Sequence, residues 1–298
     1  MSEREVGSGY TDLHCHGGAG FYFSDPNLAN VAKAIEFHKQ NGTSQLLASL
    51  VTATIPDLHR QISRLIPFCE DGTIFGIHLE GPYLAKSRCG AHSPELLKSP
   101  QLDEIKSLIE TGNGHIKMIT IAPELDGAIK AIEYLSATRV IAAIGHSAGS
   151  YEDAKRATDA GAGIVTHFSN GMSKLSDGQK SFATALLYES SIPLEIIFDG
   201  QHINSDDLNS IFDVAPLRTV LITDAMSAAG MPDGEYSIGG LGVMVHDGIA
   251  RLEGNGSLAG STLTMEKAVS NASNFGISNE VVLHAARVLP NQLLSSVS

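Results

Sequence analysis

The sequence predicts an α/β protein that folds as a closed (β/α)₈ barrel of the TIM type, in a single domain over residues 1–298. Eight short apolar runs alternate with helical patterns along the chain. The runs are apolar nearly throughout, which is typical of parallel strands that are covered on both faces. At 298 residues the chain is longer than a typical domain, but a barrel commonly fills about 250 residues as one unit.

The predicted strands recur at regular intervals. They are 9–16, 45–52, 73–80, 116–122, 139–144, 163–167, 194–199 and 219–224. A helix is predicted from Asp25-Pro26 to Gln40, where Asn41-Gly42 stops it, and another covers 56–68.

Two polar residues mark later helix starts. Ser150 and Asp153 have the spacing of a capping box, and Asn204 caps the helix before the eighth strand. The segment 242–252 differs from the rest, because its alternating runs around Asp247-Gly248 predict a β-hairpin. Two C-terminal helices are predicted within 262–288.

Composition excludes several classes of function. Hydrophobic residues make up 43% of the chain and charged residues 18%, which argues for a large core and against disorder. The net charge of −13 and the lack of a basic patch argue against nucleic-acid binding. Three widely spaced cysteines suggest no disulfide framework, and neither a signal segment nor an apolar run of about 18 residues is present. We therefore expect a cytoplasmic protein without a membrane association.

The triplet His14-Cys15-His16 ends the first predicted strand. Residues two apart in a strand face the same side, so His14 and His16 can offer two imidazoles to one metal ion while Cys15 points into the core.

Further metal-binding side chains follow later strands: Glu80, His146, His167 and Asp224. The carboxyl ends of barrel strands meet at one rim, so these residues are expected to converge. Glu80, His146 and His167 suit zinc, with iron, manganese or cobalt as alternatives; the other interpretation is a hydrogen-bond network without a metal. Asp224 is a further ligand, a structural carboxylate or, as we favour, a general base that takes a proton from water.

Two loop histidines, His92 and His202, lie beyond strand ends, where side chains meet substrates, although either can be a solvated loop residue. Residues 255–262 are small and polar, so their backbone can approach a ligand closely.

With these motifs in place, the chain resembles the amidohydrolase superfamily and, within it, the N-acetylglucosamine-6-phosphate deacetylase family. The matching stretches follow the family order and cover nearly the whole chain. They are 10–18 (YTDLHCHGG), 76–83 (GIHLEGPY), 145–150, 166–172 (THFSNGM), 198–203 (FDGQHI), 221–230 (LITDAMSAAG) and 258–265 (LAGSTLTM).

The resemblance implies that Glu80, His146 and His167 hold the main metal ion and that His14 and His16 hold a second, giving one or two divalent ions per chain. It also implies that Asp224 is the acid/base and that His92 polarises the acetyl carbonyl. The implied substrate contacts are Asn170, Gly171 and His202 for the sugar phosphate, and Leu258, Ala259 and Gly260 for the acetyl group.

Two departures from the family pattern affect what is expected. The family's phosphate-gripping arginine would fall near Gly178, where none is present; Lys174 or Lys180 can supply charge but not a bidentate fork. The flanking β-sandwich of the family is largely absent, with the hairpin at 242–252 as its remnant. The edges of that hairpin need a cover, for which we expect the partner in a homodimer.

The sequence therefore predicts a metal-dependent hydrolase that removes acetate from N-acetylglucosamine 6-phosphate in amino-sugar catabolism. The alternatives are an amidohydrolase that acts on a non-phosphorylated N-acetyl sugar or a related amide, and a sugar-phosphate-binding protein without catalysis.

Overall fold

A computed structural model describes residues 9–298, in which eight parallel strands form one sheet in chain order and helices separate them. The strands are β1 (Tyr10–Cys15), β2 (Thr43–Val51), β3 (Gly76–Glu80), β4 (Ile116–Ile121), β5 (Ile141–Ile144), β6 (Ile164–Val165), β7 (Leu194–Ile197) and β8 (Thr219–Ile222). The predicted (β/α)₈ barrel is confirmed. The predicted domain also includes residues 1–8, which lie outside the described range.

The helices cover the outside of the barrel. They are α1 (Leu28–Gln40), α2 (Ile55–Glu70), α3 (Leu102–Gly112), α4 (Ala128–Ala137), α5 (Tyr151–Asp159), α6 (Phe182–Tyr188), α7 (Ser205–Val214), α8 (Met265–Phe275), α9 (Asn279–Leu283) and α10 (Leu289–Ser296). No helix within residues 9–298 combines the length and the apolar character that a membrane span needs.

Helix starts follow the capping chemistry of the sequence. The Ser150 and Asp153 side chains form the predicted capping box of α5, and the Asn204 side chain accepts from the main chain of α7. The first helix begins later than predicted, at Leu28, because Asn27 rather than Asp25 acts as the N-cap and accepts from the Ala29 amide.

The barrel closes between β1 and the segment that follows β8. The Asp224 amide donates to the His14 carbonyl over 2.8 Å, and the His16 amide donates to the Ala225 carbonyl over 2.8 Å. Below them, the Thr223 hydroxyl donates to the buried carboxylate of Asp12 over 2.6 Å. Residues at the predicted functional rim therefore also close the barrel.

Apolar side chains fill the molecule in separate layers. The largest cluster lies between the strands and the helices, and a second contains Leu47, Met118 and Val220 from the strands. Leu294 and Val297 at the chain's end pack against this second cluster. Such packing holds the strand ends at fixed positions.

Outside the barrel lies a three-stranded antiparallel sheet of β9 (Gly234–Ile238), β10 (Leu241–His246) and β11 (Ile249–Leu252). The last two form the predicted hairpin, but the prediction missed β9. Ile238 and Val243 pack on Met226, in the loop after β8. In the described residues, the only other sheet is a two-stranded ribbon at residues 17–18 and 21–22.

Candidate metal centre and active site

The residues predicted from the strand ends meet around the carboxylate of Glu80, at the end of β3. Glu80 Oε1 lies 3.1 Å from His146 Nε2 and 3.0 Å from His167 Nε2, and these two ring nitrogens are 3.0 Å apart. All three side chains are buried. Residues from three strand ends thus place three potential ligand atoms around one point.

A second group lies on the other side of Glu80. The Nε2 atoms of His14 and His16 are 3.1 Å apart, as the H-x-H spacing predicts. Asp224 Oδ1 lies 3.5 Å from His14 Nε2 and 3.3 Å from His16 Nε2. Glu80 Oε2 lies 3.2 Å from His16 Nε2, so one carboxylate adjoins both groups.

The far ring nitrogens of three of these histidines meet groups that can only accept a hydrogen bond. His16 Nδ1 donates to the Ser49 carbonyl over 3.2 Å, and His146 Nδ1 donates to the Arg88 carbonyl over 2.7 Å. His14 Nδ1 donates to Glu195 over 3.1 Å. In a neutral imidazole with the proton on Nδ1, Nε2 carries a lone pair. All three lone pairs therefore point into the cluster.

His92 has the opposite tautomer. The Thr52 amide donates to His92 Nδ1 over 3.3 Å, and the Thr52 hydroxyl lies 2.8 Å from the same nitrogen. Because the amide can only donate, Nδ1 is an acceptor and Nε2 carries the proton. That Nε2 lies 3.2 Å from Glu80 Oε2. Gly81 lets Thr52 approach, because a Cβ at this position would lie 2.2 Å from Thr52 Oγ1. The φ of Gly81 is +86°, which also favours glycine. His92 therefore offers the cluster a proton donor, not a ligand.

The donor set fits divalent cations. Glu80 Oε1 and His146 Nε2 are two acceptors 3.1 Å apart, and such a pair repels unless a cation lies between them. Ligand atoms about 2.0–2.1 Å from a tetrahedral zinc ion lie roughly 3.3 Å from one another. His14, His16 and Asp224 form a second set of similar spacing. The residues present therefore suit one cation at Glu80, His146 and His167 and another at the H-x-H pair.

The electrostatics of the cluster also favour positive charge. Burial lowers the pKa of His14, but Glu80, Glu195 and Asp224 raise it well above its usual value, so these acids favour either a proton or, in its place, a cation at His14 Nε2. Burial raises the pKa of Asp224, yet His14 and His16 lower it to about 2, so this carboxylate is ionised at neutral pH. Burial lowers the pKa of His92 to about 4, so this ring is neutral.

Three of the candidate site residues have a left-handed backbone: His146 at φ +46°, His167 at +26° and Asp224 at +49°. Non-glycine residues rarely adopt this conformation, which costs of order 1–3 kcal/mol each. Hydrogen bonds hold two of them, since the His167 amide donates to Glu195 over 3.0 Å and the Asp224 amide to His14. Such strain is typical of functional sites.

A cavity of about 270 Å³ opens over the cluster. Of the predicted substrate contacts, Asn170, Gly171, Leu258 and Gly260 line it. Two others do not: Ala259 is fully buried, and His202 pairs with Asp199 (Nδ1 to Oδ2, 2.7 Å) outside the lining. The lining contains no lysine or arginine. Ile238 of β9 contributes to the wall, so the small sheet helps to shape the cavity.

No family model matches the chain, but curated proteins are similar to it over most of its length. The N-acetylgalactosamine-6-phosphate deacetylase of Escherichia coli O157:H7 is 36% identical over 96% of this chain and 77% of its own length. The N-acetylglucosamine-6-phosphate deacetylase of Vibrio furnissii is 32% identical over 88% of this chain and 67% of its own. The chain belongs to the N-acetylglucosamine-6-phosphate deacetylase family.

Solved structures agree with this family membership. A mutant of the Mycobacterium smegmatis N-acetyl-D-glucosamine-6-phosphate deacetylase, in complex with N-acetyl-D-glucosamine-6-phosphate, superposes with a TM-score of 0.92 at 40% identity, over 96% of this chain and 77% of its own. The Thermotoga maritima N-acetylglucosamine-6-phosphate deacetylase superposes with a TM-score of 0.88 at 30% identity, over 96% of this chain and 78% of its own. The family resemblance and the barrel predicted from the strand pattern are both confirmed.

Four residues that contact the cluster were not found from the sequence. Ser49 and Arg88 act through carbonyls, which any residue type provides, so their type gives no signal. Thr52 acts through its amide and its hydroxyl, but an isolated threonine after a strand is too common to indicate a role. Glu195 does leave a signal, because it is a lone acid within an otherwise apolar strand and is fully buried. A buried acid in such a strand needs a partner.

Proposed function

We propose that this chain hydrolyses N-acetylglucosamine 6-phosphate to glucosamine 6-phosphate and acetate, as a step in amino-sugar catabolism. The observation that carries the proposal is the set of inward lone pairs around Glu80, with an ionised Asp224 and a proton-donating His92 at the same cavity. The deacetylase relatives support the same reaction.

Glu80, His146 and His167 would hold the principal divalent ion, and His14 and His16 would hold a second. Zinc suits the donors, and iron, manganese or cobalt are alternatives. When bound, the ion supplies Lewis-acid polarisation and lowers the pKa of a nearby water molecule. The buried, hydrogen-bonded ligands keep its position fixed.

Asp224 would act as the general base and then as the general acid. Its carboxylate accepts a proton from the attacking water while the water oxygen bonds to the acetyl carbon. It then donates that proton to the amino nitrogen as the carbon–nitrogen bond breaks. Its left-handed backbone and the amide hydrogen bond to His14 aim the carboxylate at the cluster.

His92 would stabilise the oxygen of the acetyl group as negative charge develops on it. Its Nε2–H is available because Thr52 fixes the other ring nitrogen as an acceptor. Burial keeps the ring neutral, so it donates a hydrogen bond without losing its proton.

The sugar phosphate would contact Asn170, Gly171 and His202, and the acetyl group would contact Leu258, Ala259 and Gly260. Of these, Ala259 is fully buried and would contact the substrate only if its loop moves. His202 reaches the cavity only if its ring leaves Asp199 or the substrate extends beyond the lining. Since the lining contains no lysine or arginine, main-chain amides near Gly171 would have to donate to the phosphate.

The 4-epimer of the sugar is a second candidate substrate, because the E. coli relative is an N-acetylgalactosamine-6-phosphate deacetylase.

The cytoplasmic location, the homodimer and the single-domain boundary at 1–298 stay predictions. The edge strand β9 of the small sheet is the surface on which a dimer partner would lie.

The test is acetate release by metal-loaded protein from three sugars: N-acetylglucosamine 6-phosphate, N-acetylgalactosamine 6-phosphate and N-acetylglucosamine. We expect the first to give the highest kcat/KM and a chelator to abolish turnover. No acetate from any of them with one or more bound ions would overturn the proposal, and a higher rate with the galactose epimer would reassign the substrate.

A further inference from the structure

Glu195 on β7 lies beneath the metal centre and does not line the cavity. Its side chain is fully buried. A single oxygen, Oε2, contacts both halves of the cluster, at 3.1 Å from His14 Nδ1 and 3.0 Å from the main-chain nitrogen of His167. One carboxylate oxygen thus contacts a residue of each cation group.

The charge of Glu195 has few partners. Its other oxygen, Oε1, is buried and meets no hydrogen-bond partner within residues 9–298. In that range no lysine or arginine pairs with it; its side-chain partner is the His14 ring. A buried carboxylate is destabilising unless positive charge lies close by. A cation bound at His14 Nε2 would supply that charge.

The other histidines of the cluster are held differently. His16 and His146 donate to main-chain carbonyls, and His92 accepts from Thr52. In the described chain, His14 is the cluster histidine whose far nitrogen is backed by a carboxylate. A carboxylate in that place fixes the tautomer and makes the opposite nitrogen a stronger ligand.

We propose that Glu195 is a positioning residue for a second cation at His14, His16 and Asp224. It holds the His14 ring with Nε2 toward that cation and supplies a negative charge that balances it. Through the His167 amide, the same oxygen also holds the strained backbone of a principal ligand. The proposal rests on the metal centre proposed above and assigns its second position a dedicated support.

Zinc titration of chelator-treated full-length protein tests this without an activity measurement. We expect wild type to bind two ions with distinct dissociation constants. In Glu195→Gln the amide oxygen can still accept, but the charge is lost. The dissociation constant of the second ion should rise about 10- to 100-fold, as for other carboxylates that back a ligand, while the first changes less than about threefold.

Asp12→Asn is the matched control. Asp12 is also a fully buried barrel carboxylate, but it bonds to Thr223 and the His14 amide and contacts no imidazole of the cluster. The Asp12→Asn variant should bind the second ion with a dissociation constant within about threefold of the wild-type value. Glu195→Asp, which keeps the charge, should recover part of the affinity and serves if the glutamine variant does not fold.

Equal weakening of the second ion in Glu195→Gln and Asp12→Asn would overturn the proposal, because Glu195 would then act through barrel stability alone. Unchanged zinc binding in Glu195→Gln would also overturn it. So would a wild type that binds one ion whose affinity survives the double change His14→Ala and His16→Ala. Acetate release measured on the same samples separates these outcomes from a failure of the deacetylase proposal.

Discussion

At the scale of single residues, the far nitrogen of each histidine decides its role at the centre. A carbonyl acceptor behind His146 turns a lone pair inward, whereas the amide of Thr52 behind His92 turns a proton inward. Both rings lie about equally close to Glu80, with contacts of 3.1 and 3.2 Å. Distance alone therefore cannot separate ligand from proton donor, but hydrogen-bond partners can.

Asp224→Asn should retain the fold and the bound metal but lose nearly all turnover. One group would serve both proton transfers, and general acid/base catalysis typically contributes about 10²–10⁴-fold. The measurements are kcat for acetate release and metal content. Glu124→Gln is the control, a rim carboxylate that bonds to Ser147 and Ala148 outside the cluster and should leave kcat near wild type. A rate above about a tenth of wild type in Asp224→Asn would place the base elsewhere.

His92→Ala should lower kcat about 10²–10³-fold, the usual loss for one oxyanion donor, with metal content unchanged. His92→Gln, whose amide can still donate, should recover part of the rate. The result follows from the protonated Nε2, since such a nitrogen cannot bind a metal. Loss of an ion in His92→Ala would show instead that His92 is a ligand.

At the scale of elements, strands and their ends could be predicted and the connections could not. Apolar runs located all eight strands, and the H-x-H spacing placed His14 and His16 on one face. Sequence patterns do not reveal which group lies behind each ring, because Ser49 and Arg88 act through their main chain and Thr52 acts partly through its amide. Strand β9 was missed because its exposed positions dilute the apolar signal.

The packing of α1 on the end of β1 is expected to make the stability of the protein fall in acid. His38 of α1 is fully buried, and its Nε2 donates to the Gly17 carbonyl over 2.8 Å. Burial lowers its pKa to about 4, although the Gly17 hydrogen bond opposes this. An unfolded histidine titrates near 6.5, so between these values the unfolded chain binds more protons and stability falls as the pH falls.

His38→Gln should therefore reduce the loss of stability on acidification. The stabilisation from neutral His38 is fully present above pH 6.5 and is lost as the pH falls towards 4. For His38 alone, the linkage predicts that the free energy of unfolding falls by about 2 kcal/mol between pH 7 and pH 5. Urea unfolding of metal-saturated wild type and variant at the two pH values measures the difference. If the urea midpoints of wild type and His38→Gln fell by the same amount between the two pH values, the proposed role of His38 would be wrong. His59→Gln, at a part-buried helix surface, is the control and should behave as wild type.

At the scale of the whole molecule, a chain of net charge −13 is proposed to bind an anionic sugar phosphate. The cavity lining offers no lysine or arginine, and the cations held at its base are proposed to serve the acetyl group. Lys174 lies outside the lining, where its Nζ donates to the Ser169 carbonyl over 3.1 Å. Recognition of the phosphate therefore depends on amide donors and on lysine charges that solvent screens.

Preference for the phosphorylated sugar should consequently be modest and salt-sensitive. One charge-assisted hydrogen bond is worth roughly 1.5–3 kcal/mol, so the absence of an arginine fork lowers the advantage about ten- to hundred-fold. We expect measurable activity on N-acetylglucosamine and a phosphate advantage in kcat/KM that shrinks between low and high salt.

The double change Lys174→Ala and Lys180→Ala should shrink the phosphate advantage further, with kcat on the unphosphorylated sugar unchanged. A preference above about 10⁴-fold that salt does not change would contradict this, because it would indicate a fixed guanidinium fork. In that case the arginine must come from outside the described cavity lining, and light scattering would then be expected to find a dimer.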